Sequence, residues 1–161
     1  MKTHFFYIII ISILSVMLIF AQDKSEKENV KKVATQFLKE AENQTVPSSD
    51  LIATESLDKA KEMSLSMALS YDSTGITNAM MLLPANKIKT MTSAEVWDHM
   101  NKVANTMQKL DMNIEWEIVK TEIKNDNAFV TYAVKGRGEK VMQLKKEDNK
   151  WKVVLSFDSI F

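Results

Sequence analysis

The stretch Lys146–Phe157, KEDNKWKVVLSF, decides how the rest of the chain is read. A polar turn breaks into Trp151, after which Trp151, Val153, Leu155 and Phe157 alternate with Lys152, Val154 and Ser156. A period of two is that of a strand, and an apolar set along one face requires something to cover it. The turn places the largest apolar side chain at the head of that strand and sets its register. Three earlier segments read the same way: IEWEIVKTEIK (114–124), AFVTYAVK (128–135) and KVMQLKK (140–146). KNDN, GRG and KEDNK separate them, each rich in turn-forming residues. Four strands joined by three short connections predict an antiparallel meander.

The first of these strands changes phase. Ile114, Trp116 and Ile118 share one face, whereas Val119, Thr121 and Ile123 fall on the other. Either a β-bulge bends the strand near Ile118-Val119, or both faces are buried along part of it.

Upstream of the meander the period is helical. Val30, Val33, Ala34, Phe37, Leu38 and Ala41 lie on one helix face, with Ser25 and Glu28 spaced as a capping box. Pro47 and the two serines after it mark a break. LIATESLDKAKEM suits a second helix with Leu51, Leu57, Ala60 and Met63 inward, but SLSMALSY (64–71) alternates as a strand would. The segment 76–91 is apolar and interrupted by Pro84, so residues 50–91 are open to two readings, a strand pair or an extended second helix. Thr92 and Glu95 form another capping box, followed by Val96, Met100, Val103, Met107 and Leu110 on one face of a third helix ending near Asp111. Early helices followed by a meander make the fold class α+β.

With 161 residues the chain is sized for one domain, and 21 basic against 21 acidic residues provide no basic stripe for nucleic acid. The N-terminus carries one Lys, an apolar run from Phe5 to Phe20, and then Ala21 before a polar stretch. That is the layout of a secretory signal peptide covering residues 1–21, with export to the periplasm or beyond. The alternative is retention of residues 5–20 as a membrane anchor. The expected organisation is therefore a signal at 1–21 and a single domain at 22–161. No cysteine occurs, which rules out a disulfide framework, a thiol nucleophile and a Cys-ligated metal. His99 is the one histidine beyond the signal, so a multi-histidine metal site is excluded as well.

NVKKVATQFLKEA, the strand pair EWEIVKTEIKNDNAFVTYAV, and VMQLKKEDNKWKVV together resemble the NTF2-like, cystatin-like superfamily. They are most similar to its small exported bacterial domains of the DUF4878-like type. The resemblance spans most of residues 25–158. The chain departs from it in lacking a Gly in KEDNK and in its Met-rich middle. What the resemblance implies is a conical fold: a strongly bent meander with helices over its concave side and a pocket between them. It also implies a homodimer through the sheet. It does not imply catalysis, since functions are grafted onto such scaffolds.

On that geometry Trp116, Tyr132, Met142 and Leu155 face Phe37, Val33, Met100 and Met107, the first and third helices roofing the sheet. These side chains either fill the space or line a pocket for an apolar ligand. As acids or bases, Tyr71, Asp72 and His99 are the candidates, with Tyr132 beside them. Adjacent helix positions such as Asp98 and His99 do not face each other, which argues for an ordinary helical His99. The methionines read as adaptable core filler rather than a soft-metal site. No phosphate loop, nucleophile elbow or nucleotide fingerprint is present, and neither cofactor nor metal is expected. The functional expectation is a non-catalytic exported domain that binds a small apolar ligand or an envelope protein. A proton-transfer lyase or isomerase is the alternative, and a membrane-anchored interaction module is another.

Overall fold

The hairpin within KEDNKW is built on two residues in the left-handed region, Asp148 at φ 48° and Asn149 at φ 61°. Successive positive φ values at a two-residue loop are those of a type I′ turn, whose twist matches its strands. Asp and Asn tolerate this conformation best after Gly, so the turn forms without one. It joins β3 (Gly138–Glu147) to β4 (Lys150–Val154), pairing Glu147 with Lys150 and Lys146 with Trp151. β1 (Trp116–Lys124) and β2 (Asn127–Val134) precede them, and the four strands form one antiparallel sheet in the order β1-β2-β3-β4. The computed structural model describes residues 23–43, 46–71, 83–106 and 114–157. The expected signal or anchor segment lies outside these residues.

A bulge resolves the phase fault in β1. Ile118 pairs with Tyr132 and Lys120 with Thr131, which leaves Val119 as the extra residue, 51% exposed. Trp116, Ile118, Thr121 and Ile123 consequently oppose Val134, Tyr132, Val130 and Ala128, all on one face. The bulge does not curl the sheet strongly, and the sheet is not closed. The strongly bent form expected from the resemblance is not what is seen: one extra residue kinks one edge strand, and the four strands, in consecutive order, do not close on themselves.

One helix covers the inner face. α1 (residues 23–42) buries Val30, Ala34 and Leu38 against Ala128, Val130, Met142, Leu144, Trp151 and Val153, with Val33 and Phe37 partly buried alongside. Ala41, expected on the same face, is exposed. Ser25 already lies within the helix, so it is not an N-cap and the capping box expected there does not form.

Two indoles fasten this helix. Trp151 donates its Nε1–H to Glu26 Oε2 at 2.7 Å, and Trp116 donates to Glu42 Oε2 at 3.1 Å. The two Trp begin the two antiparallel edge strands, β4 and β1, and so occupy opposite corners of the sheet. The helix therefore crosses it diagonally. Lys146 Nζ completes the Glu26 end with a 2.7 Å ion pair, and lies 5.7 Å from the centre of the Trp151 ring. Its hydrogen bonds from Lys146 and Trp151 hold the Glu26 carboxyl below the usual carboxylate range. A carboxyl whose folded pKa is lowered stabilises fully above its unfolded value, about 4.5, and loses that contribution as pH falls through the lowered folded value.

Residues 46–48, outside any regular element, lead through a 3₁₀ turn (Ser49–Leu51) to α2 (Thr54–Tyr71). SLSMALSY is thus helical, and the strand reading of residues 64–71 is wrong. Leu57, Ala60 and Ala68 are buried at helical spacing, while Met67 and Leu69, two of the alternating apolar residues, are about half exposed. Ala, Leu and Met are strong helix formers, and the segment continues a helix already nucleated and capped. The cap comes from the sheet: Glu147 accepts hydrogen bonds from the Thr54 N–H and from its hydroxyl, the latter at 2.7 Å. α3 (Ala85–Thr90) follows Pro84, and α4 (Ser93–Thr106) follows the capping box expected at Thr92 and Glu95. That box is reciprocal. The Thr92 N–H donates to Glu95 Oε2 at 2.7 Å, and the Glu95 N–H donates to Thr92 Oγ1 at 3.2 Å.

α4 does not roof the sheet, contrary to expectation. Buried Trp97 packs with Leu51, Ile52, Leu57 and Ala60 of the turn and α2, and its Nε1–H donates to the Pro47 carbonyl at 2.6 Å. Val96 belongs to a further cluster with Ala68, Leu83, Ala85 and Ile88. The helical layer lies beside the sheet rather than over it, joined to it through Phe37, Val33 and Leu155.

Because Val119 is the inserted residue, its deletion restores strict alternation with the same four inward side chains. Removing Val119 should leave a cooperative fold, with denaturant stability changed by no more than about 1 kcal/mol. Removing Thr121 turns either Lys120 or Glu122 inward and should cost several times as much, roughly 3 kcal/mol or more. Equal costs for the two deletions would contradict the register.

Candidate functional site

The β3–β4 ladder ends early. Gln143 pairs with Val154, but β3 continues back to Gly138 without a partner from β4. At the next residue the Leu155 N–H, on the side turned away from β3, donates at 2.9 Å to Ser56 Oγ on α2. Ser56 is 2% exposed, so that hydroxyl and that amide satisfy each other away from water. Just before it, the Ala53 N–H donates to the Val153 carbonyl at 2.8 Å, and Ile52 forms a parallel bridge with Val153. The segment 52–56 therefore seals the outer edge of β4 and draws the chain off the sheet.

A depression of ≈ 490 Å³ opens where β4 leaves. Phe37, Tyr132, Met142 and Leu155 line it on the helix-covered side, and Phe129, Val141 and Val154 on the other side of the sheet. Burial pushes the Tyr132 phenol above its ordinary value. At neutral pH it is a protonated hydroxyl, able to donate or accept one hydrogen bond but not to act as a resident base.

Four of the eight side chains expected around a pocket therefore meet here, Phe37, Tyr132, Met142 and Leu155, whereas Val33 packs in the core under α1. Trp116 stands at the far corner, turned to Glu42, beside a separate shallow depression with Ala133 and Val134. Met100 belongs to the helical cluster, where Ser64 Oγ approaches its sulfur at 3.4 Å. Met107 and Asp72 lie outside the described residues, as does the side chain of Tyr71. His99 is half-buried on α4 and is not among the residues lining the depression. Among the described residues no group of three His, Asp or Glu is placed to hold a metal ion, and no helix is long and apolar enough to cross a membrane.

Reading β2, β3 and β4 as one-faced strands missed Phe129, Val141 and Val154. The available signal was three apolar residues on the face assumed to be solvated. Val141 is 65% exposed. The role of Ser56 left no trace in the local pattern, because its partner is 99 residues away.

Ser56→Ala leaves the Leu155 amide without an acceptor, and should cost about 1–3 kcal/mol in urea unfolding. Amide exchange at Leu155 should accelerate more than at Val154, whose pairing with Gln143 of β3 is untouched. Uniform acceleration along β4 would mean that Ser56 does not define where the strand ends.

No family model, curated protein or solved structure matches the chain.

Proposed function

We propose that the protein is an exported, non-catalytic domain of the NTF2-like kind, binding a small apolar ligand or a protein partner in the cell envelope. The observation that carries this reading is the open depression at the end of β4, in which Phe37, Met142 and Leu155 converge with a neutral phenol on the helix-covered side. Such a lining recognises an apolar body with one polar group and has no charged residue on it. Kinship with NTF2-like domains is supported by the order of helices before a meander and by the turn-and-Trp opening of β4. The open sheet does not supply the conical form. Export is supported by the layout of residues 1–21. The apolar outer face around Val141 favours a protein partner, a second copy of the chain among them.

Titration of the purified protein with oleate tests the small-ligand form of this reading. Saturable binding is expected, and Tyr132→Phe should weaken it about 5–10-fold through loss of one hydrogen bond, without altering the far-ultraviolet spectrum. Absent saturation, or affinity indifferent to Tyr132, contradicts a small-molecule site in the depression.

A further inference from the structure

The depression is unusual in being lined from both faces of the sheet. Met142 and Leu155 approach from the helix-covered side, and Val141 and Phe129 from the other. Between them runs the backbone edge of β3 from Gly138 to Met142, which among the described residues has no strand beside it. The empty space is thus the path that β4 would have followed had it continued past Val154. Residues 155–157 go elsewhere. Leu155 is bonded to Ser56, and the Phe157 ring lies 5.6 Å from Lys59 Nζ on α2. An apolar small molecule cannot satisfy a row of main-chain donors and acceptors, whereas an extended peptide can.

We propose that this edge is a docking site for an extended segment of a partner protein, added to β3 as an antiparallel strand in line with β4. The proposal rests on the binding-module reading and names the ligand class for that site. Side chains on the edge specify the segment. A residue opposite Met142 points into the helix-covered part of the depression, and one opposite Val141 lies on the exposed apolar face, so both are apolar. The next residue opposes Lys140 and the following one Glu139. Both of these charges are exposed, so the complementary segment carries an acidic and then a basic residue. Read from its N-terminus, the segment is apolar, apolar, acidic, basic. A second copy pairing through the same edge about Lys140 would oppose two lysines, which disfavours self-association there.

The probe is a capped octapeptide with Val-Val-Glu-Lys at its centre, followed by fluorescence anisotropy with the full folded protein. Saturable binding is expected. Methylating one alternating set of its amide nitrogens should weaken binding at least about tenfold, while methylating the other set has little effect, as strand pairing requires. Lys140→Glu should weaken the peptide by about fivefold and favour a version with Lys in place of its Glu. Binding insensitive to both methylation patterns overturns strand addition, as does oleate binding without peptide binding, which leaves the small-ligand reading standing. If neither oleate nor peptide binds, the underlying binding-module reading fails with it.

Discussion

The indole–carboxylate bond between Trp151 and Glu26 governs how the two layers of this protein meet. An isolated helix of the length of α1 is marginal in water, and its buried face of Val30, Ala34 and Leu38 is small. Burial of those side chains is non-directional and would tolerate several crossing angles. The Glu26 contact to Trp151 and Lys146 at one corner, with Glu42 and Trp116 at the other, selects one of them. That diagonal sets Phe37 over the end of β4, and so determines which side chains surround the depression.

A second constraint acts where the sheet gives way to the helices. Glu147 caps α2 from β3, the Ala53 amide reaches β4, and Ser56 accepts the Leu155 amide on the side of β4 turned away from β3. The same contacts that protect the outer edge of β4 therefore expose the edge of β3 beyond it. An open strand edge is a liability in a soluble domain unless it is blunted or used. Here the exposed stretch adjoins an apolar hollow, which is the arrangement that peptide recognition by strand addition needs.

Much of this was legible in the sequence where local chemistry and fold agree. The Asp148-Asn149 turn, the Thr92–Glu95 capping box and the phase change at Val119 each rest on residues within a few positions of one another. The α+β order followed from them. Where long-range contacts decided, the pattern misled. SLSMALSY alternates by accident of composition, and the helix already running from Thr54 overrides it. Ser25 and Glu28 have capping spacing, but the helix is under way before Ser25. The roofing expected of α4 failed because Trp97 finds its acceptor at Pro47, 50 residues earlier, and pulls that helix toward the 3₁₀ turn. Of the site, the inward side chains of β2 to β4 could be read from parity. The premature end of β4 could not, since it depends on a serine in α2.

The central claim is that Glu26 and Trp151 act on one another rather than each on the solvent, and a double-mutant cycle measures that directly. Glu26→Gln, Trp151→Phe and the double variant would be unfolded in denaturant at pH 7 and again near pH 3. The account predicts a coupling of about 1 kcal/mol or more at pH 7, as expected for a hydrogen bond to a charged group, shrinking at pH 3 as the carboxyl is protonated. Additivity within about 0.5 kcal/mol at both pH values would contradict it, and with it the diagonal placement of α1 on the sheet.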